Sequence, residues 1–361
     1  MSERPLSPIV PDDQFNAAHT QPVSRTHAKE EPLMPETMTA LFGGTGPDWA
    51  VRQAPVPQPG PGQIVVRARA AALNNADASM LAAADPTSGG TGKEYRAGYE
   101  FAGEVAAVGD GVGAPVVGER VMGTTPGSFA QYVLADHRHV LPVPDELAHE
   151  EACALPTGLL TEHGALMTAG FRAGQSVLIT GATSSIGLIG VRIAKALGAG
   201  QVIATTRSAA KRDLLMGAGA DTVVVTDAQD LTQAVLDATG GEGVDVALDH
   251  VGGQTFAACL PATRTDGAVV NIGRLDTAAS TIDLDALSHR HLRVAGVSFG
   301  FTRPAELGAV IAAAGERLLA AVADGRVRPL IDTTLSFATA TDAAERLRSH
   351  RAHGKIILTV P

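Results

Sequence analysis

Cysteine occurs only twice in 361 residues, as Cys153 and Cys259. That count excludes a disulfide framework and any cysteine-rich zinc module, and it fits a reducing compartment. Aromatic residues are also scarce: one Trp, three Tyr and nine Phe make up 4% of the chain. The core must therefore be aliphatic, and a stacking platform for single-stranded nucleic acid lacks its rings. No apolar run approaches the about 18 residues of a membrane span, and the N-terminus lacks a charged start followed by an apolar stretch. Neither a membrane helix nor a secretory signal is expected, and the cytoplasm is the default location. Positive charge is in deficit too, with 28 Lys and Arg against 38 Asp and Glu, a net −10. That balance works against nucleic acid or an anionic membrane as partner, and the charges are scattered, with no acidic tail or basic arm.

What is abundant is aliphatic: hydrophobic residues make up 45% of the sequence, enough for two sizeable cores. Residues 1–37 stand apart, with Pro5, Pro8, Pro11, Pro22, Pro32 and Pro35 in a polar stretch without helix or strand period. A flexible tail is expected there, because such a segment cannot repay its ordering entropy. From about Met38 to residue 157 the pattern is short strands and turns, including Gln63–Arg69, Phe101–Val108 and Phe129–Leu134. This predicts a mostly antiparallel β-region, a small barrel. After residue 170 the rhythm changes. Short apolar strands at Val177–Thr180, Val202–Thr205, Val223–Val225, Val246–Leu248, Val269–Ile272 and Val294–Ser298 alternate with helices such as Ile186–Leu197. Six such strands predict an α/β fold with a doubly wound parallel sheet of Rossmann type. Helices over Ala305–Ala323 and Thr341–Arg348 and a strand over Ile356–Val360 complete the chain.

The turn between the first strand and first helix of that sheet reads Thr180-Gly181-Ala182-Thr183-Ser184-Ser185-Ile186-Gly187. A helix N-terminus there offers unpaired N–H groups and positive dipole charge to a pyrophosphate. Against the G-x-G-x-x-G fingerprint the glycine positions hold Ala182, Ser184 and Gly187. Either the phosphate rides higher than usual or the hydroxyls of Ser184 and Ser185 donate to it. The second strand ends at Thr206-Arg207, with Lys211 following and no acidic residue for a ribose 2′-OH. A hydroxyl and two cations suit a 2′-phosphate, so NADPH is expected over NADH. Asn271 and Gly273, at the end of the fifth strand, and Ser298 and Phe299, at the end of the sixth, fall where strand ends face a nicotinamide ring. The turn is similar to that of short-chain dehydrogenases. Their catalytic tyrosine lies downstream, whereas Tyr95, Tyr99 and Tyr132 all precede the turn here, which excludes that chemistry.

From Met38 onward the chain resembles the medium-chain dehydrogenase/reductase family, in its zinc-independent quinone oxidoreductase branch. The resemblance rests on Pro55–Gly62, Leu73-Asn74-Asn75-Ala76-Asp77, Gly98–Val105, Gly118-Glu119-Arg120-Val121, Val244–Asp249 with Val251-Gly252-Gly253, and Gly354-Lys355. It implies a GroES-like barrel catalytic domain over 38–157 and 300–361, with a Rossmann NADPH domain inserted over 158–299. The positions that carry zinc ligands in the family's alcohol dehydrogenases match Asn74, Tyr99 and Thr157, none of them a good zinc donor, so no metal is expected. These three become the candidate catalytic residues: Asn74 to orient acceptor or ribose, Tyr99 to donate its O–H, and Thr157 to donate near the nicotinamide amide. The resemblance also implies Lys355 as a cation on the pyrophosphate, and a homodimer. Without a Lewis acid, hydride addition to a quinone or conjugated alkene is the expected reaction. The alternatives are an enoyl-thioester or ketone reductase of a biosynthetic pathway, or a low-turnover NADPH-binding scaffold.

Overall fold

The computed structural model describes residues 34–349 and 352–361, so the expected tail up to residue 33 lies outside the described residues. The first half of the chain supplies β1 (Thr37–Gly43), β2 (Ala50–Pro55), β3 (Gln63–Ala72), α1 (Asn75–Ala84), β4 (Tyr95–Arg96) and β5 (Glu100–Val108). Then come β6 (Arg120–Thr124), β7 (Tyr132–Asp136), β8 (Val140–Pro142), α2 (His149–Ala152) and α3 (Pro156–Ala169). β3 is the organising strand. It pairs along its length with β5, while its other edge is shared, the first half with β7 and the last residues with β16 (Lys355–Thr359). The resulting sheet has seven strands, and β15 (Ile331–Ser336) closes one edge of it. The sequence expectation of a strand over Phe129–Leu134 is shifted: β7 begins at Tyr132. Phe129 is instead fully buried in the preceding bend, edge-on to Trp49 with ring centroids 5.4 Å apart.

The second sheet is parallel throughout. Its strands are β9 (Ser176–Ile179), β10 (Gln201–Thr206), β11 (Thr222–Val225), β12 (Val244–Asp249), β13 (Thr263–Asn271) and β14 (Arg293–Gly296), in the order β11-β10-β9-β12-β13-β14. Helices α4 (Ser185–Ala196), α5 (Arg212–Ala218), α6 (Leu231–Ala238), α7 (Gly253–Cys259) and α8 (Leu284–His289) connect them. Both faces are covered, which is why the strands read as unbroken apolar runs. Val177 and Ile179 of β9 enter one core with residues of α3 and α4, while Leu178 between them enters the core on the other face. The six parallel strands are the sheet the sequence predicted. The last one stops early, at Gly296 instead of Ser298.

α3 carries the chain from one sheet to the other. Pro156 stands in its first turn and Gly170 ends it in the left-handed region at φ 71°, so both boundaries follow from residue type. It is buried on most sides, and Glu162 and His163 are among its buried residues. Helix α9 (Pro304–Ala323) lies against it, and α10 (Ala340–Arg348) precedes the final strand β16. Leu166 of α3 is completely buried in the core it shares with β9 and α4. Leu166→Ala is expected to destabilise the chain by about 2–5 kcal/mol through lost transfer energy and a residual cavity. A fall in the urea midpoint at constant slope would report it.

Candidate active site

The turn after β9 is built for close approach. Gly181 adopts φ +56°, and a Cβ on Gly187 would lie 2.7 Å from the Cα of Ala182, so α4 can meet the turn only with glycine at that place. Ser184 caps α4: its Oγ accepts the Gly187 N–H at 3.1 Å, satisfying one of the free donors of the first helical turn. The amides of Ser185 and Ile186 are left at the helix N-terminus. The neighbouring strand order supplies the crevice, because β9 is flanked by β10 and β12, whose chain connections leave in opposite directions.

Two cavities flank this turn. One, of about 440 Å³, is lined by Gly181, Thr183, Thr206, Arg207, Asp227 and Asp276 among others. The second, of about 680 Å³, lies between the sheets and is lined by Asn74, Thr157, Ser184, Ser185, Ile186, His250, Gly273 and Arg274 among others. Leu275 belongs to both linings. A ligand with two bulky ends joined by a pyrophosphate matches this arrangement, one end in each cavity and the phosphates over the helix N-terminus.

Beside the second cavity lies a buried ionic cluster. The Lys355 ammonium is 2.6 Å from Oε2 of Glu100 and 2.7 Å from Oδ1 of Asn74, and both charged side chains are almost wholly inaccessible. An ammonium only donates, so the Asn74 amide must turn its oxygen to Lys355. Its Nδ2 then donates to Glu100 at 2.9 Å. The other oxygen of Glu100 accepts the Thr157 N–H at 2.8 Å. Asp77 accepts the Asn74 backbone N–H at 2.7 Å. Burial pushes the Asp77 carboxyl up to about 7, against the pull of the Asn74 N–H and of Lys355, with Glu100 adding to the rise. A second buried cluster occupies the floor of the crevice. His250 Nε2 lies 2.6 Å from Oε1 of Glu162, and Thr180 Oγ1 donates to Asp249 at 2.8 Å.

Of the residues expected from sequence, Asn74, Thr157, Ser184, Ser185, Ile186 and Gly273 line the second cavity, and Thr183, Thr206 and Arg207 the first. Ala182 and Gly187 are beneath the turn, where they set its shape. Six residues stand elsewhere. Lys355 is not turned toward the turn, because its ammonium is spent on Glu100 and Asn74. Lys211 lies in a single helical turn outside the first lining. Asn271 gives its amide to Asp249 at 3.1 Å and to the Gly273 carbonyl at 2.9 Å, so it braces the strand ends. Ser298 and Phe299 follow the shortened β14, and the Phe299 ring packs against Gly164 of α3. Tyr99 stacks on Phe301 at 5.9 Å and donates its hydroxyl to the Met80 sulfur, outside the lining.

Sequence reasoning missed Glu162, His250, Asp227, Asp276, Arg274 and Arg348. Asp227, two residues past the third strand, was open to the same strand-end argument that found Arg207; the others meet only in three dimensions. The Asp77 value of about 7 against an ordinary 3.8 means that folding takes up a proton. Its contribution is complete below the ordinary value and fades as pH rises through the folded one. Asp77→Asn is therefore expected to flatten the fall in Tm between about pH 4 and 7, measured by thermal denaturation in a buffer series.

Two family models match: residues 60–145 fit the alcohol dehydrogenase GroES-like domain and residues 185–315 the zinc-binding dehydrogenase model. The mycocerosic acid synthase-like polyketide synthase of Mycobacterium tuberculosis is 32% identical over 310 residues. The match takes in 84% of this chain, which spans only 14% of the synthase's length. The "Probable quinone oxidoreductase" of Schizosaccharomyces pombe is 32% identical over 315 residues, covering 84% of this chain and 90% of that protein. A mycobacterial protein solved in complex with NADPH superposes with a TM-score of 0.76 at 28% identity, over 90% of this chain and 100% of the other. With both sheets, the dinucleotide turn and a full-length relative in agreement, the chain belongs to the medium-chain dehydrogenase/reductase family.

Proposed function

We propose that the chain is an NADPH-dependent, zinc-free oxidoreductase that delivers hydride to a quinone or to an alkene conjugated with a carbonyl. The observation that carries this reading is the pair of cavities on either side of one phosphate-binding turn. Arg207 reaches the first, while Asn74 and Thr157 stand in the second. NADPH, when bound, supplies the hydride. Ser185 and Ile186 offer backbone donors to the pyrophosphate. Arg207 forms no ion pair among the described residues and is free to hold a 2′-phosphate. Asp227 and Asp276 in the same lining oppose anions in general, so the preference for the phosphorylated cofactor rests on Arg207.

In the second cavity Asn74 is an oriented donor. Lys355 holds its oxygen and Glu100 takes one amide hydrogen, leaving the other for the oxygen that gains charge as the acceptor is reduced. The side chains at 74, 99 and 157 are an amide, a phenol and a hydroxyl, and this donor set suits hydrogen bonding better than zinc. A second reading, reduction of an enoyl thioester, is favoured by Arg274, which lines this cavity and suits an acceptor with an anionic tail. Arg348, in the same lining, is held by Asp48 at 2.9 Å and by the Pro47 carbonyl at 2.8 Å. We also read β14, an edge strand of the parallel sheet with Val294 43% exposed, as the contact of a homodimer.

Oxidation of NADPH followed with quinones, enones, ketones and enoyl thioesters tests the proposal. Quinones or enones are expected to react fastest, thioesters fastest under the second reading, and no acceptor-dependent oxidation would overturn both. Arg207→Ala is expected to raise KM for NADPH by about 10- to 100-fold, the range of a charge-assisted hydrogen bond, and to change KM for NADH far less.

A further inference from the structure

The floor of the crevice holds a buried acid–imidazole pair that hydride transfer does not use. Glu162 projects from α3 and is fully buried; His250 follows Asp249 at the end of β12, and only 4% of it is exposed. His250 Nδ1 lies 2.9 Å from the carbonyl oxygen of Thr180, the residue that enters the dinucleotide turn. A carbonyl only accepts, so Nδ1 carries a hydrogen. On the other side of the ring Nε2 lies 2.6 Å from Oε1 of Glu162. That distance requires one proton between them, as imidazolium with carboxylate or as imidazole with carboxylic acid. Without it, two lone pairs would face each other in a site closed to water.

The surroundings are shaped around the pair. The second oxygen of Glu162 is buried without a partner among the described residues and abuts α4 at Gly190, where a Cβ would lie only 2.4 Å from it. The His250 backbone N–H donates to Thr180 Oγ1 at 3.0 Å, and Asp249 gathers Thr180, the Gly252 N–H and Asn271. One imidazole thus ties α3 to the strand end from which the turn departs. The charged groups around it are few. Glu162 faces it from α3 and Asp249 from its own strand, and Arg274, after β13, lines the same cavity. Thr180 and Gly181 of the turn do not titrate, and the next residue of α3, His163, is influenced instead by Arg317 of α9. Burial pulls the His250 imidazole down, but Glu162, the Thr180 carbonyl and Asp249 together outweigh it and raise it above its ordinary value.

We propose that Glu162 and His250 are positioning residues that share one buried proton and so hold the dinucleotide turn against α3, and that loss of this proton in alkaline solution loosens the turn and weakens nicotinamide-dinucleotide binding. The inference rests on reading the turn as an NADPH site. Neither side chain has a free N–H or O–H for the acceptor, so their effect falls on cofactor affinity and not on the chemical step.

The experiment is NADPH Kd by fluorescence titration of the full chain from about pH 6 to 10, beside the Tm of the ligand-free chain over the same range. In the wild type, Kd is expected to be flat near neutrality and to rise about tenfold or more at alkaline pH, the scale of one lost buried charged hydrogen bond. Tm is expected to fall over the same interval. A raised imidazole pKa contributes stability that is present below the unfolded value and is lost as pH rises through the folded one. In Glu162→Gln the amide N–H can donate to a neutral Nε2, so the pair survives without a titrating proton. This variant is expected to bind NADPH near neutrality to within about threefold of wild type and to lack the alkaline limb in both Kd and Tm. Glu162→Ala is expected to bind weakly at every pH. An alkaline limb in Glu162→Gln equal to that of the wild type would overturn the proposal. Should that variant not fold, the ¹⁵N shifts of His250 in the wild type decide: a ring that titrates apart from the Kd step overturns it. A wild type that binds no NADPH would sink the cofactor reading instead, while the Tm comparison still tests the shared proton.

Discussion

Glu100 is the buried charge around which the catalytic half of the cleft is arranged. Its carboxylate has three partners from three separate elements: the Lys355 ammonium on the last strand, the Asn74 amide at the start of α1, and the Thr157 N–H at the start of α3. A carboxylate in a water-free site is tolerated only when its lone pairs are filled, so each of these elements is held where it must be. The C-terminal strand, which the chain adds more than 250 positions after Glu100, is thereby locked beside β3. Asn74 gains a fixed orientation from the same contacts. A side chain that lines the cleft is thus oriented by a buried ion pair behind it.

α3 extends that order to the nucleotide side. Its first residues answer to Glu100 through Thr157, and one turn later Glu162 meets His250 beneath the dinucleotide turn. The helix is thus tied by polar contacts to both sheets, within an otherwise apolar packing of Leu159, Leu166 and their neighbours. Apolar contacts are non-directional and would permit small slips of one sheet over the other. The polar contacts at Thr157 and Glu162 have fixed geometry, and they set the register of the two halves of the cleft.

The departures from sequence expectation share one cause. Strand periodicity and turn chemistry are local, and they located the parallel sheet, its six strands and the turn from Thr180 to Gly187. Side-chain destinations are not local. Lys355 reads in sequence as a cation available to phosphate, yet a fully buried Glu100 claims it. Asn271 sits at a strand end as expected, but Asp249 takes its amide. Phe299 was expected at the ring site because the sixth strand was expected to run two residues further. The pair of Glu162 and His250 was illegible for the same reason: 88 positions separate them, and neither residue has a motif.

Fold class, the position and shape of the dinucleotide turn, and the lack of cysteine ligands were all legible in the residues alone, because each depends on residue type and spacing along a short stretch. Which charges are spent on one another, and which remain for a ligand, was settled only on folding. That depends on burial, which removes water as the competing partner and forces Lys355, Glu100, Glu162 and His250 to satisfy one another. Arg207 stays open to solvent and forms no ion pair among the described residues.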